Sequence, residues 1–283
     1  MIEFNTLEKI NIHQLTQVFN LAFSDYIIKI ELSEKQLINK LKNEGGSLKQ
    51  SVGTFENGEL IGFILHSKYK NKIYNSGTGV IPKKRGNGLT RKMYEFYLNN
   101  NSSKINNICL EVICENEVAI SNYKKLGFFK KRELNCYKGN CYTAKNQNLY
   151  KFSEVKISNT LWKLFREFWD IIPSWQNSIH SLSISKQSCI VALIDNKIVG
   201  YCIFSKTNQK IYQIAVDKKN RNKGIGTSLI YEVNKAIKSD FSIINVDASN
   251  KNTNDFLINL GLKIFAKQFE MEMKMKKTTG KNA

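Results

Sequence analysis

Apolar and polar positions alternate with two different periods along the chain. The run Phe55-Glu56-Asn57-Gly58-Glu59-Leu60-Ile61-Gly62-Phe63-Ile64 has apolar arms broken by an Asn-Gly pair, the pattern of a β-hairpin. Ile194-Asp195-Asn196-Lys197-Ile198-Val199-Gly200-Tyr201-Cys202-Ile203 has the same form. Before the first hairpin, Leu15, Val18, Phe19, Ala22 and Phe23 fall on one face of a helix. Before the second, Leu161, Trp162, Phe165, Phe168, Trp169 and Ile172 do so, ending at Pro173. Such aromatic stripes either pack a core or line a ligand site, and core packing is the commoner use.

The two patterns are one pattern repeated. Gly62 and Gly200 lie 138 positions apart, as do the strands beginning Ile73-Tyr74 and Ile211-Tyr212. Arg85-x-x-Gly88 and Arg221-x-x-Gly224 are offset by 136, and Asn116 with Gly127 precede Asn250 with Gly261 by 134. Shared order at a slowly drifting offset predicts two tandem copies, with small deletions in the second. Each reads as helix, hairpin, strand, loop–helix, strand, helix, strand. This predicts an α/β architecture (an α+β mixed sheet): two domains, each with a mostly antiparallel central sheet flanked by helices. The boundary falls in the polar stretch from Gly139 to Lys151, giving domains 1–145 and 152–277.

Composition narrows the class. A chain of 283 residues with 42% hydrophobic content can bury two cores. No stretch approaches the roughly 20 uncharged apolar residues of a membrane span. Met1-Ile2-Glu3-Phe4 is not a basic leader followed by an apolar run, so no secretory signal or membrane association is expected. Six cysteines without a C-x-x-C pair, beside only three histidines, read as reduced thiols in a cytoplasmic protein without a metal site. The net charge of +19 divides evenly between the halves, with a locally basic stretch only from Met273 to Lys281. Nothing in it reads as a nucleic-acid arm, though a general positive field attracts anions.

The chemistry sits where a strand feeds a basic, glycine-containing loop that opens a helix. The first such loop is Val80-Ile81-Pro82-Lys83-Lys84-Arg85-Gly86-Asn87-Gly88-Leu89-Thr90. The second is Val216-Asp217-Lys218-Lys219-Asn220-Arg221-Asn222-Lys223-Gly224-Ile225-Gly226. Helix N-termini expose unpaired N–H groups at the positive end of the helix dipole, and glycine lets backbone approach a phosphate closely. Lysines and the arginine would add charge-assisted contacts. A solvated basic turn is the competing reading of either loop alone. Neither is a P-loop or a G-x-G-x-x-G fingerprint. Downstream, each copy continues with a strand, an Asn and a helix ending in Leu-Gly-Phe (first) or Leu-Gly-Leu (second).

In these residues the chain resembles the GNAT superfamily of acetyl-CoA-dependent N-acyltransferases, twice over and along nearly its whole length. The superfamily's loop has the pattern [RQ]-x-x-G-x-[GA], and its later segment runs strand, Asn, helix with a Tyr, then Leu-Gly-Phe. The resemblance implies acetyl-CoA as acyl donor in a cleft where the fourth and fifth strands splay. Gly79, Val80 and Ile81, or Ala215, Val216 and Asp217, would pair with pantetheine as an added strand does. Arg85, Gly86, Asn87, Gly88, Leu89 and Thr90, or Arg221, Asn222, Lys223, Gly224, Ile225 and Gly226, would hold the pyrophosphate, with Asn116 and Asn250 nearby. An N–H near Val80 would stabilise the oxyanion. Tyr123 holds the position of the tyrosine that protonates the departing thiolate.

The copies are not equal. Thr90 replaces Gly or Ala in the first loop, whereas Leu257 replaces the tyrosine in the second copy. This places catalysis in the first domain; the second would bind acetyl-CoA without turnover or serve as a structural half. Tyr123 could also be a packed helix residue. Glu111 is the nearest candidate base, with an ordinary strand residue as the alternative. Asp25 and Tyr26, and in the second copy Trp175 and Gln176, follow the first helix where the family's substrate lid lies. The implied activity is direct acetyl transfer to a primary amine of a small molecule or peptide, by a monomer or homodimer. A catalytically inactive acyl-CoA-binding or sensor protein is the alternative.

Overall fold

The computed structural model describes residues 1–101, 105–141, 150–185 and 187–275. The centre of the linker and the basic segment after Met275 lie outside the described residues. Contacts divide the chain into two compact units: Met1–Lys131 with Phe269 and the residues after it, and Arg132–Gln268.

In the first unit, β1 (Ile2–Thr6), β2 (Val52–Glu56), β3 (Glu59–Tyr69) and β4 (Lys72–Val80) form an antiparallel meander. The hairpin between β2 and β3 turns at Asn57 and Gly58, whose φ angles of 51° and 85° are those a type I′ turn requires. β5 (Asn107–Ile113) pairs parallel with β4. The helix α1 (Ile12–Ala22), capped by Asn11, buries Leu15, Val18, Phe19 and Ala22, the stripe seen in the sequence. With α2 (Glu34–Glu44), started by a Ser33–Gln36 capping box, it covers one face of the sheet. On the other face lie α3 (Leu89–Asn101) and α4 (Glu117–Lys125), which pack Met93, Tyr94, Tyr97, Ile120 and Tyr123 into a second core.

β6 (Phe129–Gly139) leads into the second unit, which repeats the plan. β7 (Lys151–Glu154), β8 (Ser188–Ile194), β9 (Lys197–Ser205) and β10 (Lys210–Val216) are antiparallel, and β11 (Phe241–Asp247) runs parallel to β10. The helices are α5 (Asn159–Glu167), α6 (Ile179–Ile184), α7 (Ile225–Ile237) and α8 (Lys251–Asn259). The last strand is β12 (Lys263–Lys274). Among the described residues no helix is long and apolar enough to cross a membrane.

The compact units cross the sequence boundaries 1–145 and 152–277. Strand order is β1-β2-β3-β4-β5-β12 in the first unit and β6-β11-β10-β9-β8-β7 in the second. Each sheet is thus closed by the last strand of the other repeat. Tyr137 of β6 is fully buried in the second unit's core, its hydroxyl bonded to Asn254 Oδ1 at 2.6 Å. Met271 and Met273 of β12 are buried in the first unit's core, and Asn107 Nδ2 donates to Glu272 Oε1 at 2.7 Å. An alternating strand after Leu-Gly-Phe encodes which side chains face inward, but not which of two equivalent edges it joins.

The exchange makes a prediction. Met271→Ala should cost about 2–5 kcal/mol, and the amides losing hydrogen-exchange protection should be those of β5 and α3, not α7 and α8. A second concerns His66, fully buried in the first unit. Its Nδ1–H donates to the Gln50 carbonyl at 2.8 Å, and burial lowers its pKa to about 4. The unfolded chain therefore binds the proton first as pH falls. Stability present above about pH 6.5 should be lost towards pH 4, by roughly 3 kcal/mol. Urea titrations at pH 7 and 4.5 should show this loss, reduced in His66→Gln.

Candidate functional site

The parallel pairing of β4 and β5 is short: Lys72–Asn107, Ile73–Ile108 and Tyr74–Cys109 are its register. β4 then bulges at Ser76, between the pairs His66–Asn75 and Leu65–Gly77. In the second unit only Lys210–Ser242 and Ile211–Ile243 pair, and the bulge is at Tyr212. A bulge bends its strand and ends local pairing, so in both units the two strands diverge beyond it. Ile81 N–H bonds the Ile61 carbonyl at 3.0 Å and Asp217 N–H bonds Val199 at 2.8 Å. Successive N–H groups of a strand alternate in direction. Val80 and Val216 N–H therefore face the splay, whereas Ile81 and Asp217 are committed to their own sheets.

Counted from the bulges, Asn75-Ser76 corresponds to Ile211-Tyr212, an offset of 136. The expected match of Ile73-Tyr74 to Ile211-Tyr212 is thereby corrected: the second hairpin is already two residues shorter before the bulge, β10 having 7 residues to β4's 9.

Both loops leave the splay through a single 3₁₀ turn, Pro82–Lys84 or Lys218–Asn220. Gly86 and Gly88 take φ of 81° and 68°; Asn222 and Gly224 take 60° and 82° at the matching places. A Cβ on Gly86, Gly88 or Gly224 would meet nothing within 4 Å, so these positions border open space. Gly224 caps α7 without a side-chain bond, leaving the helix's first N–H groups to a ligand. Asn87 Nδ2 braces its loop through the carbonyls of Lys84 and Arg85.

The arginines turn inward. Arg85 Nε donates to the Val80 carbonyl at 3.1 Å, and its two terminal nitrogens reach Asp25 at 2.6 and 2.8 Å. Arg221 repeats this on Val216 at 3.1 Å and Asp170 at 2.8 Å. Arg85 grips Asp25 with both terminal nitrogens, whereas Arg221 divides its own between Asp170 and the Phe168 carbonyl, so both arginines brace the loops against the end of the first helix. The Arg85 hydrogen bond holds Asp25 below the usual carboxylate range. Asp25, expected at the substrate, is thus partnered by Arg85. Asp170 escaped the sequence reading, although Phe23-x-Asp25 and Phe168-x-Asp170 are a visible repeat.

Four polar side chains meet at the first splay. Asn75 Nδ2 donates to Thr78 Oγ1 at 2.8 Å and to the Tyr94 hydroxyl at 2.7 Å. Burial raises the pKa of the Tyr123 hydroxyl, against the opposing influence of the neighbouring Thr78 and Asn75, so it keeps its proton. Its ring packs edge-on against Tyr94 at 6.4 Å and Phe128 at 5.5 Å. Asn116 caps α4 by accepting from Ala119 N–H, and burial raises the Tyr26 pKa against the opposing influence of Asn116. Glu111 is elsewhere: it alternates with Leu110 and Val112, which face Tyr123, and bonds Tyr74 on the sheet's other face. Gly79 is pressed by α1; a Cβ there would come within 2.7 Å of Ala22.

In the second unit the matching residues are Ile211, Ile214, Ile230 and Leu257: all four polar positions are aliphatic. A cavity of about 400 Å³ opens there. Of the residues expected at a cofactor, Ala215, Val216, Arg221, Asn222, Gly224–Gly226 and Asn250 line it, with Leu257 and Ile214. Asp217 and Lys223 are not among its lining residues. Nor are Trp175 and Gln176; the neighbouring Asn177 is, and its buried Oδ1 has no partner among the described residues. Asn75, Thr78 and Tyr94 gave no sequence signal, since only the bulge register brings them to Tyr123.

This geometry, a bulged splay above a glycine loop at a helix N-terminus, is that of an acyl-group-transferring fold. The pattern of the Acetyltransferase (GNAT) family matches residues 13–128 and 155–261, more than half of the chain, which therefore belongs to that family in tandem form. No curated protein shows a significant match. Among solved structures, the tandem GNAT protein from the clavulanic acid biosynthesis pathway superposes with a TM-score of 0.73 at 10% identity, over 98% of this chain and 99% of that one. A GCN5-related N-acetyltransferase from Sphaerobacter thermophilus gives 0.74 at 14%, over 97% and 96%. A putative acetyltransferase from Pyrococcus horikoshii gives 0.71 at 14%, over 97% and 90%. At such identities the likeness is one of fold.

The bracing arginines can be tested directly. Asp25→Asn and Asp170→Asn should speed amide exchange at residues 86–88 and 222–224 respectively. Because the pairs are partly exposed, global stability should change by less than about 1 kcal/mol.

Proposed function

We propose that the protein transfers an acetyl group from acetyl-CoA to a primary amine of a small molecule or peptide, in the first unit. The observation that carries this reading is the buried Tyr123 side chain, beside Thr78 and Asn75 at the splay above the first glycine loop. The fit of the loops to a pyrophosphate rests on their left-handed residues and on open space where three glycine side chains would lie. An acetyl-CoA thioester supplies the activated carbonyl.

The chain's own groups divide the work. N–H groups from Gly86 to Thr90 bind the pyrophosphate at the start of α3. Val80 N–H, facing the splay, stabilises negative charge on the carbonyl oxygen as the amine attacks. Tyr123 gives its proton to the departing sulfur, a role its raised pKa suits because the proton is retained until a base arrives. Glu111, turned toward Tyr74 on the face away from Tyr123, takes no part in the proton transfer, and the amine loses its proton to solvent. Tyr26 contacts the acceptor beside Asn116, while Asp25 acts through Arg85 on the loop. We assign the repeats to 1–145 and 152–277 and the protein to the cytoplasm, as a monomer or homodimer.

Leu257 favours a second reading for the second unit alone: it binds a CoA thioester without turnover.

Thiol release with a panel of primary amines tests the proposal. Tyr123→Phe should lower kcat by about 10²–10⁴-fold with little change in KM for acetyl-CoA. An unchanged kcat would remove Tyr123 from the chemistry. No amine-dependent release from the native chain would remove the enzymatic reading.

A further inference from the structure

The second unit's splay differs from the first as a set. The polar residues Asn75, Thr78, Tyr94 and Tyr123 are replaced by Ile211, Ile214, Ile230 and Leu257, all on the face packed by α7 and α8. Two tyrosine rings give way to shorter aliphatic chains, and every hydroxyl and amide at those positions is gone. The loop above remains: Asn222 and Gly224 keep the left-handed conformations of Gly86 and Gly88, and the cavity runs from that loop to Ile214, Ile243 and Leu257. The loop end therefore suits an anion, and the floor formed by Ile214, Ile243 and Leu257 suits hydrocarbon.

From this we infer that the second unit holds a CoA thioester whose acyl chain is longer than acetyl, and holds it without transferring it. The inference rests on reading the loop as a CoA site. A two-carbon group reaches little of the aliphatic floor, whereas a four-carbon chain lies against Ile214 and Leu257 and buries its added methylenes. Neither tyrosine lining the cavity takes over from Tyr123. Leu257 cannot donate a proton. The Tyr201 hydroxyl, across the cavity, accepts from Trp169 Nε1 at 2.6 Å and donates to Gln213 Oε1 at 2.7 Å. The Tyr212 hydroxyl lies toward Asn208, 3.4 Å from its Nδ2, back along the strand from the loop.

Calorimetric titration of the full chain with acetyl-CoA and butyryl-CoA tests this. Each buried methylene should tighten binding about fourfold, so the second site should prefer butyryl-CoA by roughly fifteenfold. Leu257→Tyr should bring the two ligands to parity at that site while CoA still binds. Gly226→Val should remove the site, since its side chain would fill the first turn of α7 beside Phe256. If that variant does not fold, the loss of preference in Leu257→Tyr carries the same information. Equal or weaker binding of butyryl-CoA, or a preference that survives Gly226→Val, would overturn the inference. In a Tyr123→Phe background, amine-dependent thiol release abolished by Gly226→Val would overturn the claim that the second unit does not transfer. Thiol release through Tyr123 tests the first unit alone, so either reading can fail without the other.

Discussion

A parallel strand pair that lasts only two or three residues governs both units. Parallel ladders normally persist because each added pair satisfies two strands at once. Here the bulges at Ser76 and Tyr212 end the ladder early, and the strands part with backbone groups unmet by their sheet. That unmet backbone would be costly in a core, yet at this point it opens beside a glycine loop and a helix N-terminus. The Val80 and Val216 N–H groups, the loops and the α4 or α8 side chains all take their positions from this one divergence. A continuous ladder would close the splay and leave the loops as surface turns.

The arginine–aspartate braces show how the loops can be open and ordered together. Their glycines have no side chains to pack, and left-handed backbone is not held by neighbours. Arg85 and Arg221 instead tie each loop to the end of the helix preceding the hairpin, through a strand carbonyl and a carboxylate. The charge of the loop's most prominent cation is thereby spent within the protein. What remains for an anion is backbone N–H and the lysines around it.

Much of the architecture was legible because local rules decide it. The Asn57-Gly58 turn and the α1 stripe are short-range patterns, and the repeat was visible from the spacing of its glycines, arginines and asparagines. The family motifs also pointed to the loops and to Tyr123. What escaped depends on register or on distance. Asn75, Thr78 and Tyr94 join Tyr123 only because a bulge shifts β4, and no local pattern marks the bulge. The inward turn of the arginines needs an aspartate some fifty to sixty positions away. Strand exchange is the furthest from local physics, since β6 and β12 fit either edge by their alternation.

That exchange sets an order of assembly. The strand that closes the first sheet is the last of the second repeat, and Asn107 of β5 meets Glu272 across 165 positions. A chain emerging from the ribosome can lay down β1 to β5 and α1 to α4, yet Met271 and Met273 are not there to fill the core. The second unit, by contrast, has its closing strand β6 in hand before its own repeat begins. The part made first is thus finished last, and its half-built core waits through the synthesis of more than a hundred residues. Long-range closure of this kind slows folding and leaves an unpaired strand edge exposed meanwhile.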